Sequence, residues 1–250
     1  MATVEQHSGG RARSARGARG VLPDLGVGLA LALGAVAATW WLVGLPASYV
    51  LIGLSLYLSL AGLILRTFPN DTPGPGMGPA NRVTLARAAL AMPVFALTVQ
   101  PGALGTAGRW WVIALSTGVM ILDGVDGRVA RRTGSQTRFG ARFDMELDAA
   151  LIMALSLIVW RSGKVGAWVL LIGLIRYAFV AAGWIWPALG RELPPSLRRR
   201  VVCVIQGVVL LAALGPIVPV GTAVVVTAAG LAALGYSFAV DVRWALSEGA

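Results

Sequence analysis

The chain has very few of the side chains that most nucleophilic catalysis and most structural metal sites use. Its 250 residues include one cysteine, Cys203, and one histidine, His7. A single cysteine excludes a disulfide within the chain and a cysteine-ligated metal site. A single histidine in a polar N-terminal segment excludes a Ser-His-Asp triad and a histidine-based zinc site. Ionic chemistry in this protein must therefore rest on carboxylates, arginines and hydroxyl groups.

Charge is scarce as well, and its distribution limits the partners. Only 13% of the residues are charged and 57% are hydrophobic, with a mean hydropathy of +0.76. Soluble domains carry about 25% charged residues, so the composition favours a membrane protein. The net charge of +10 comes mostly from arginines that lie between apolar runs. These arginines indicate topology signals and lipid headgroup contacts, and we predict no nucleic-acid partner.

Long apolar segments dominate the rest of the chain. A membrane helix needs about 20 apolar residues, and eight segments meet this length. We therefore expect an all-α, polytopic membrane protein. The predicted spans cover residues 22–44, 47–67, 83–100, 109–128, 141–161, 165–188, 200–217 and 220–242.

A Pro/Gly-rich segment, residues 69–80, divides these predicted helices into two groups. Residues 1–20 are polar and aperiodic, and we predict that they form a disordered cytoplasmic tail. Residues 21–68 then form an accessory N-terminal transmembrane hairpin. Residues 80–246 form a six-helix membrane domain.

The basic residues orient the predicted spans. With the N-terminus in the cytoplasm, only Arg109, Arg161 and Lys164 of the 21 basic residues fall outside, and Arg176 falls within a span. The positive-inside rule therefore puts both termini in the cytoplasm. We expect an integral protein of the plasma or inner membrane.

Five of the eleven acidic residues fall within one stretch, residues 123–148. Asp123 and Asp126 lie on one face of a predicted helix, and Asp144 and Asp148 lie on one face of the next. A short polar turn joins the two helices, so they should be antiparallel neighbours. Their four carboxylates can then converge at the cytoplasmic surface.

Four converging carboxylates require cations, because they cannot all stay ionised without partners. All-oxygen ligands suit Mg²⁺ or Mn²⁺, and two ions are usual in phosphoryl-transfer sites. The small residues Gly127, Ala130 and Gly140 share these faces and would let a planar group approach closely. Arg131 adds a planar donor for phosphate oxygens. Glu146 lies off these faces and is predicted not to be a ligand.

The stretch DGVDGRVARRTGSQTRFGARFDMELD resembles the signature of the CDP-alcohol phosphatidyltransferase family, D-x2-D-G-x2-A-R-x8-G-x3-D-x3-D. An upstream N-x2-T-x2-R element of the family also matches, at Asn81, Thr84 and Arg87. The resemblance implies a six-helix core after residue 80, and the two N-terminal helices lie outside the minimal family. Every fixed position of the signature is met, by Asp123, Asp126, Gly127, Ala130, Arg131, Gly140, Asp144 and Asp148.

The resemblance also implies a reaction and a role for each matching residue. The reaction is transfer of a phosphatidyl-type group from a CDP-activated lipid, such as CDP-diacylglycerol, to an alcohol, with release of CMP, in phospholipid biosynthesis. Asp148 is the expected general base on the acceptor hydroxyl. The expected ligands of two Mg²⁺ or Mn²⁺ ions are Asp123, Asp126, Asp144 and Asp148. The residues expected to contact the CDP group are Asn81, Thr84, Gly127, Ala130, Arg131 and Gly140.

Four arginines are candidates for binding the acceptor. Arg176 lies inside the sixth predicted span, where it needs either an acceptor phosphate or a structural carboxylate as partner. Arg198, Arg199 and Arg200 begin the seventh helix, where they can bind a phosphate or serve only as positive-inside residues. The acceptors considered are glycerol 3-phosphate and inositol phosphate, with phosphatidylglycerol as an alternative.

Two other functions are alternatives. A divalent-cation transporter or binding protein would use the same aspartates as ion ligands, but the other spans are nearly free of carboxylates, so the ions would lack a path. A catalytically silent family member is disfavoured because every expected ligand is present. Small residues along the fourth and eighth helices could support a homodimer.

Overall fold

The computed structural model describes residues 5–69, 76–100, 104–133, 137–186 and 196–247, and side chains for residues 20–69, 76–100, 104–124, 137–186 and 196–247. Within these ranges the regular structure is helical, without a strand, and a short 3-10 turn, Ala167–Val169, precedes the sixth α-helix. The α-helices are α1 (Glu5–Val43), α2 (Ser48–Thr67), α3 (Pro79–Leu97), α4 (Thr106–Thr133), α5 (Arg138–Arg161), α6 (Leu170–Ile185), α7 (Leu197–Leu214) and α8 (Val220–Ser247).

Eight α-helices confirm the predicted all-α fold. By length and composition, four described segments can cross a membrane, which confirms a polytopic membrane protein. The helices α3, α4, α5 and α7 carry the polar residues of the predicted site and the arginine cluster, which lower their hydropathy. That these four helices also cross the membrane stays a prediction. The four membrane-compatible segments are Gly20–Val43, Ser48–Thr67, Ala167–Ile185 and Val220–Ser247.

Helix α1 begins at Glu5, within the segment predicted to be a disordered tail. Its membrane-compatible part begins only at Gly20, after the last arginine of the N-terminal segment. The disorder of residues 1–20 and the predicted domain boundaries stay predictions.

Helix α2 shows how a membrane helix divides its surface between protein and lipid. Leu51 and Leu58 are 64% and 53% exposed, as expected of apolar side chains that face hydrocarbon. The opposite face follows the helical period and is buried against the protein. Its buried residues are Tyr49, Gly53, Tyr57 and Ile64.

The chain forms two compact units, and the first comprises residues 1–100 and 114–147. In it, α1, α2 and α3 pack against one another. Two buried tyrosines of α2 supply polar links across these contacts. Tyr57 Oη donates to the carbonyl oxygen of Leu25 on α1 at 2.6 Å, and Tyr49 Oη donates to that of Pro93 on α3 at 3.0 Å. A buried hydroxyl requires such an acceptor.

Gly28 of α1 lies where both α2 and α3 approach this helix closely. A Cβ atom at this position would meet the Tyr57 hydroxyl of α2 and would lie 3.2 Å from Leu85 of α3. Glycine is therefore needed for the close approach of α1 to both neighbours. The N-terminal hairpin is thus packed directly on the helix that follows the Pro/Gly-rich segment.

The second unit comprises residues 101–113 and 148–250, and α8 packs against α7 and α6 within it. Gln206 Nε2 on α7 donates to the carbonyl oxygen of Gly230 on α8 at 3.0 Å. The divisions between the units fall after Gln100, inside α4 after Ile113 and inside α5 after Leu147.

Lys164 stabilises the connection between α7 and α8. Its Nζ atom donates to the carbonyl oxygens of Gly215 at 2.5 Å and Val218 at 2.8 Å. These carbonyls follow the end of α7, where a cation is favourable. Burial and the nearby Arg109 charge lower the pKa of Lys164.

Candidate active site

The polar centre of the first unit is Arg87 on α3, whose side chain is only 1% exposed. Its Nη1 atom lies 2.9 Å from Asp123 Oδ1 on α4 and pairs closely with Asp144 Oδ1 on α5. Its Nε atom donates to the carbonyl oxygen of Val119 on α4 at 3.2 Å. A buried guanidinium needs several acceptors at once, and here they come from two other helices. Arg87 thereby fixes α3, α4 and α5 around the carboxylates.

Three carboxylates form a cluster that can hold a metal ion. One oxygen from each of Asp123, Asp144 and Asp148 can be chosen so that all three lie within 4.8 Å of one another. Asp144 and Asp148 are one turn apart on α5, so the helix itself sets their spacing.

The donor set of this cluster fits a hard divalent cation. Oxygen ligands lie about 2.1 Å from Mg²⁺, so two ligands of one ion are at most about 4.2 Å apart. The three oxygens are therefore within small side-chain rotations of a common ion. The side chains of Asp123 and Asp144 are each 36% exposed, which leaves them accessible to an ion.

The start of α5 is built to place these carboxylates. Thr137 Oγ1 accepts a hydrogen bond of 2.9 Å from the backbone N–H of Gly140, which is the geometry of an N-terminal helix cap. Phe139 packs edge-on against Phe68, with ring centroids 5.1 Å apart. The cap and the ring contact fix where α5 begins. They thereby fix the position of Asp144 along the helix axis, beside Arg87.

Two of the residues predicted to contact CDP meet in the first unit. Asn81 on α3 is 3% exposed, and its Nδ2 atom donates to the carbonyl oxygen of Met77 at 2.7 Å. A Cβ atom on Gly140 of α5 would collide with Asn81 Oδ1. Thr84, one turn along α3, is also 3% exposed. The structure therefore brings Asn81 and Gly140 together beside the acidic cluster, with Thr84 on the same helix.

Four predicted site residues have side chains outside those that the structure describes, although helix α4 runs through their positions. Their predicted roles, one as metal ligand and three in CDP binding, stay predictions. They are Asp126, Gly127, Ala130 and Arg131.

The candidate acceptor arginines all lie in the second unit. Arg176 is half-buried on α6, within a membrane-compatible segment. Arg198 Nη2 pairs with Asp241 Oδ1 of α8 at 2.5 Å, and Arg199 Nη1 lies 3.6 Å from the same oxygen. Arg200 is exposed. Asp241 is only 9% exposed and gives both arginines an ion-pair partner within the protein, although its single negative charge offsets only one of their two positive charges. Their role in acceptor binding stays a prediction.

Sequence reasoning matched Arg87 to a family element but gave it no role. The signal was available, because Arg82 is the only other charged side chain of α3 and the helix has no acidic residue. A buried arginine on such a helix must find its carboxylate elsewhere in the chain. The acidic residues between positions 123 and 148 were the main candidates for this carboxylate partner. The ion pairs of Asp24 and Asp241 were not predicted, because only the folded structure shows which arginines lie beside them.

The fold and the cluster together define an integral membrane protein whose convergent carboxylates are of the kind that hold divalent cations in phosphoryl-transfer sites. The family model described as CDP-alcohol phosphatidyltransferase matches residues 77–237, which is more than half of the chain. The chain belongs to this family, and the resemblance inferred from the sequence is confirmed. No curated protein and no solved structure matches the chain.

Family membership gives the general activity. The protein is a transferase of substituted phosphate groups, with a CDP-alcohol and an alcohol acceptor as its substrates in a lipid membrane. The matched region begins at Met77, two residues before α3, and leaves α1 and α2 outside it.

Proposed function

We propose that the protein transfers a phosphatidyl-type group from a CDP-activated lipid, with CDP-diacylglycerol as donor, to an alcohol that carries a phosphate, and releases CMP. The observation that supports this proposal is the cluster of Asp123, Asp144 and Asp148 beside the buried Arg87. Such a site offers both a place for divalent cations and a carboxylate base.

The proposed ligands are Asp123, Asp126, Asp144 and Asp148, for two Mg²⁺ or Mn²⁺ ions. When bound, the ions would offset the charge of the diphosphate and make CMP a better leaving group. The chain's own contribution is to hold these carboxylates in register. Arg87 does so by fixing Asp123 and Asp144 from α3.

Asp148 is the proposed general base. It accepts the proton of the acceptor hydroxyl as that oxygen attacks the β-phosphorus of the donor. The new bond joins the acceptor oxygen to this phosphorus, and the bond from the phosphorus to the CMP oxygen breaks. The lipid chains can stay in the bilayer throughout, because the reacting group lies in the headgroup.

The nucleotide side of the proposed site is formed by Asn81 and Gly140, with Thr84 one turn away. Asn81 Oδ1 faces the position where a larger residue at 140 would carry its Cβ atom. The absence of that atom lets the Asn81 amide lie directly against the backbone of α5, which holds the amide in place for a nucleotide. We include Gly127, Ala130 and Arg131 in this pocket on the strength of the family signature.

For the acceptor we propose glycerol 3-phosphate or inositol phosphate. Arg176 is the main candidate contact for the acceptor phosphate, since Arg198 and Arg199 already share an ion pair with Asp241. Phosphatidylglycerol, which carries a phosphodiester and an alcohol, is the alternative acceptor.

The experiment is CMP release by purified protein in detergent or liposomes, with CDP-diacylglycerol, Mg²⁺ and a panel of acceptors. The proposal expects CMP release that depends on one phosphate-bearing acceptor, stops with EDTA and returns with Mg²⁺ or Mn²⁺. Release with phosphatidylglycerol alone would select the alternative. Absence of release with every acceptor would refute the proposed donor.

A further inference from the structure

Asp24 is an acidic residue near the start of the membrane-compatible segment Gly20–Val43 of α1, and both of its carboxylate oxygens accept hydrogen bonds. Oδ2 accepts a hydrogen bond of 2.8 Å from the backbone N–H of Met77. Oδ1 accepts one of 2.8 Å from Arg82 Nε. The Asp24 side chain is 12% exposed, whereas that of Arg82 is 52% exposed. An acidic group so placed is costly unless it is paired, so the link is specific.

The link reaches the start of α3 from outside that helix. Pro79 is the first residue of α3, and the residue before it, Gly78, has no side chain that could cap the helix. Asp24 places a negative charge on the N–H just upstream, where the helix dipole makes an anion favourable. The loop permits this approach because Gly76 and Gly78 have φ values of 78° and 81°. Other residues rarely adopt such values.

The backbone of Met77 connects Asp24 to the predicted nucleotide pocket. Met77 is 2% exposed, donates its N–H to Asp24 and accepts from Asn81 Nδ2 at 2.7 Å. The other end of the Asn81 amide, Oδ1, is the atom that faces Gly140 on α5. A hydrogen-bonded path therefore runs from Asp24 through Met77 to Asn81, and it fixes which way the Asn81 amide points.

We propose that Asp24 of the N-terminal hairpin is a positioning residue for donor binding, which orients Asn81 through the N–H and carbonyl groups of Met77. The hairpin, which lies outside the family-matched region, then sets the affinity for the CDP group. This inference rests on the proposed function for its ligand, but the hydrogen-bonded path itself does not.

The kinetic test compares Asp24→Ala with wild-type protein in the CMP-release assay. We expect the KM for CDP-diacylglycerol to rise about tenfold, equivalent to about 1.4 kcal/mol, while kcat and the KM for the acceptor change less than threefold. Asp24→Glu should recover part of the donor affinity, because it keeps the charge and can reach the same donors. A variant that only destabilised the fold would lower activity without raising the KM for CDP-diacylglycerol more than the KM for the acceptor.

The matched control is Tyr57→Phe, which removes the 2.6 Å hydrogen bond to Leu25 in the same hairpin but leaves the start of α3 untouched. Its donor KM should stay within twofold of wild type. If Asp24→Ala is too unstable to purify, Asp24→Asn removes the charge with little change in shape and should raise the donor KM in the same direction. Equal donor KM values for wild type, the Asp24 variant and the control would overturn the inference.

Hydrogen exchange separates this inference from the proposed function. In Asp24→Ala the Met77 amide should exchange about tenfold faster than in wild type, and in Tyr57→Phe it should not. Unchanged exchange in Asp24→Ala would overturn the path whatever the kinetics. Wild-type protein that neither releases CMP nor binds CDP would refute the proposed function and the donor role of Asp24, and faster exchange would then support only the structural link.

Discussion

Replacing Arg87 tests whether one buried cation organises the acidic cluster. In the variant Arg87→Met, the side chain keeps much of its length but loses the pairs with Asp123 and Asp144 and the hydrogen bond to Val119. Removal of one partner from a buried ion pair costs about 3–5 kcal/mol, because the opposite charge is left uncompensated. In a chain of this size that corresponds to a fall in apparent Tm on the order of 10 °C.

The assay is thermal unfolding in detergent, with EDTA and with Mg²⁺. In EDTA, Arg87→Met should unfold well below wild type, because two close carboxylates then repel each other without the guanidinium. Mg²⁺ should raise the Tm of the variant more than that of wild type, since the ion replaces part of the lost positive charge. CMP release should fall at least 100-fold, because Asp144 is no longer fixed from α3.

Two variants make this result interpretable. Arg87→Lys keeps the charge but offers a point donor in place of a planar one, so it should recover stability more than activity. Arg66→Met changes an exposed arginine of α2 and should cost less than about 1 kcal/mol. If Arg87→Met unfolds in EDTA at the same temperature as Arg66→Met, the reasoning that makes Arg87 the organiser of the cluster is refuted.

Three further substitutions probe the chemistry and the two binding sides. Asp148→Asn should abolish CMP release and leave a folded protein in the membrane; near-normal turnover would exclude its role as base. Gly140→Ala places a Cβ atom against Asn81 Oδ1 and should raise the donor KM on the order of tenfold, as overpacking costs about 1–3 kcal/mol. Gly118→Ala, which meets nothing within 4 Å, is its control, and similar KM values for both would contradict the close contact. Arg176→Ala should raise the KM for a phosphate-bearing acceptor more than for the donor, and equal changes would remove its assignment.

The features that the sequence made predictable are those set by local periodicity. The placement of Asp144 and Asp148 on one helical face follows from their spacing of four residues, and the all-α fold follows from eight apolar segments. The pairing of Arg87 with Asp144 could not be derived in this way, because the two residues are 57 positions apart and on different helices. The contact of Asp24 with Met77, 53 positions apart, could not be derived from local periodicity for the same reason.

Hydropathy was a less complete guide for the helices that form the site. Four of the eight predicted spans meet the criteria for crossing a membrane by composition, while α3, α4, α5 and α7 do not. These helices carry the carboxylates and arginines of the proposed site and of the arginine cluster, and such side chains reduce the apolar signal on which these predictions depend.

The contact at Gly28 has a consequence for how this protein can vary. Because a Cβ atom there would strike Tyr57 and crowd Leu85, the sizes of the residues at these three positions are mutually constrained. Among related sequences, a larger residue at position 28 should be accompanied by a smaller residue at position 57 or 85. Exchange of the hairpin alone between two relatives should therefore give a poorly packed contact with α3. Exchange of the hairpin together with α3 should preserve this packing. The hairpin and α3 would therefore be inherited as one module, although the boundary of the family match runs between them.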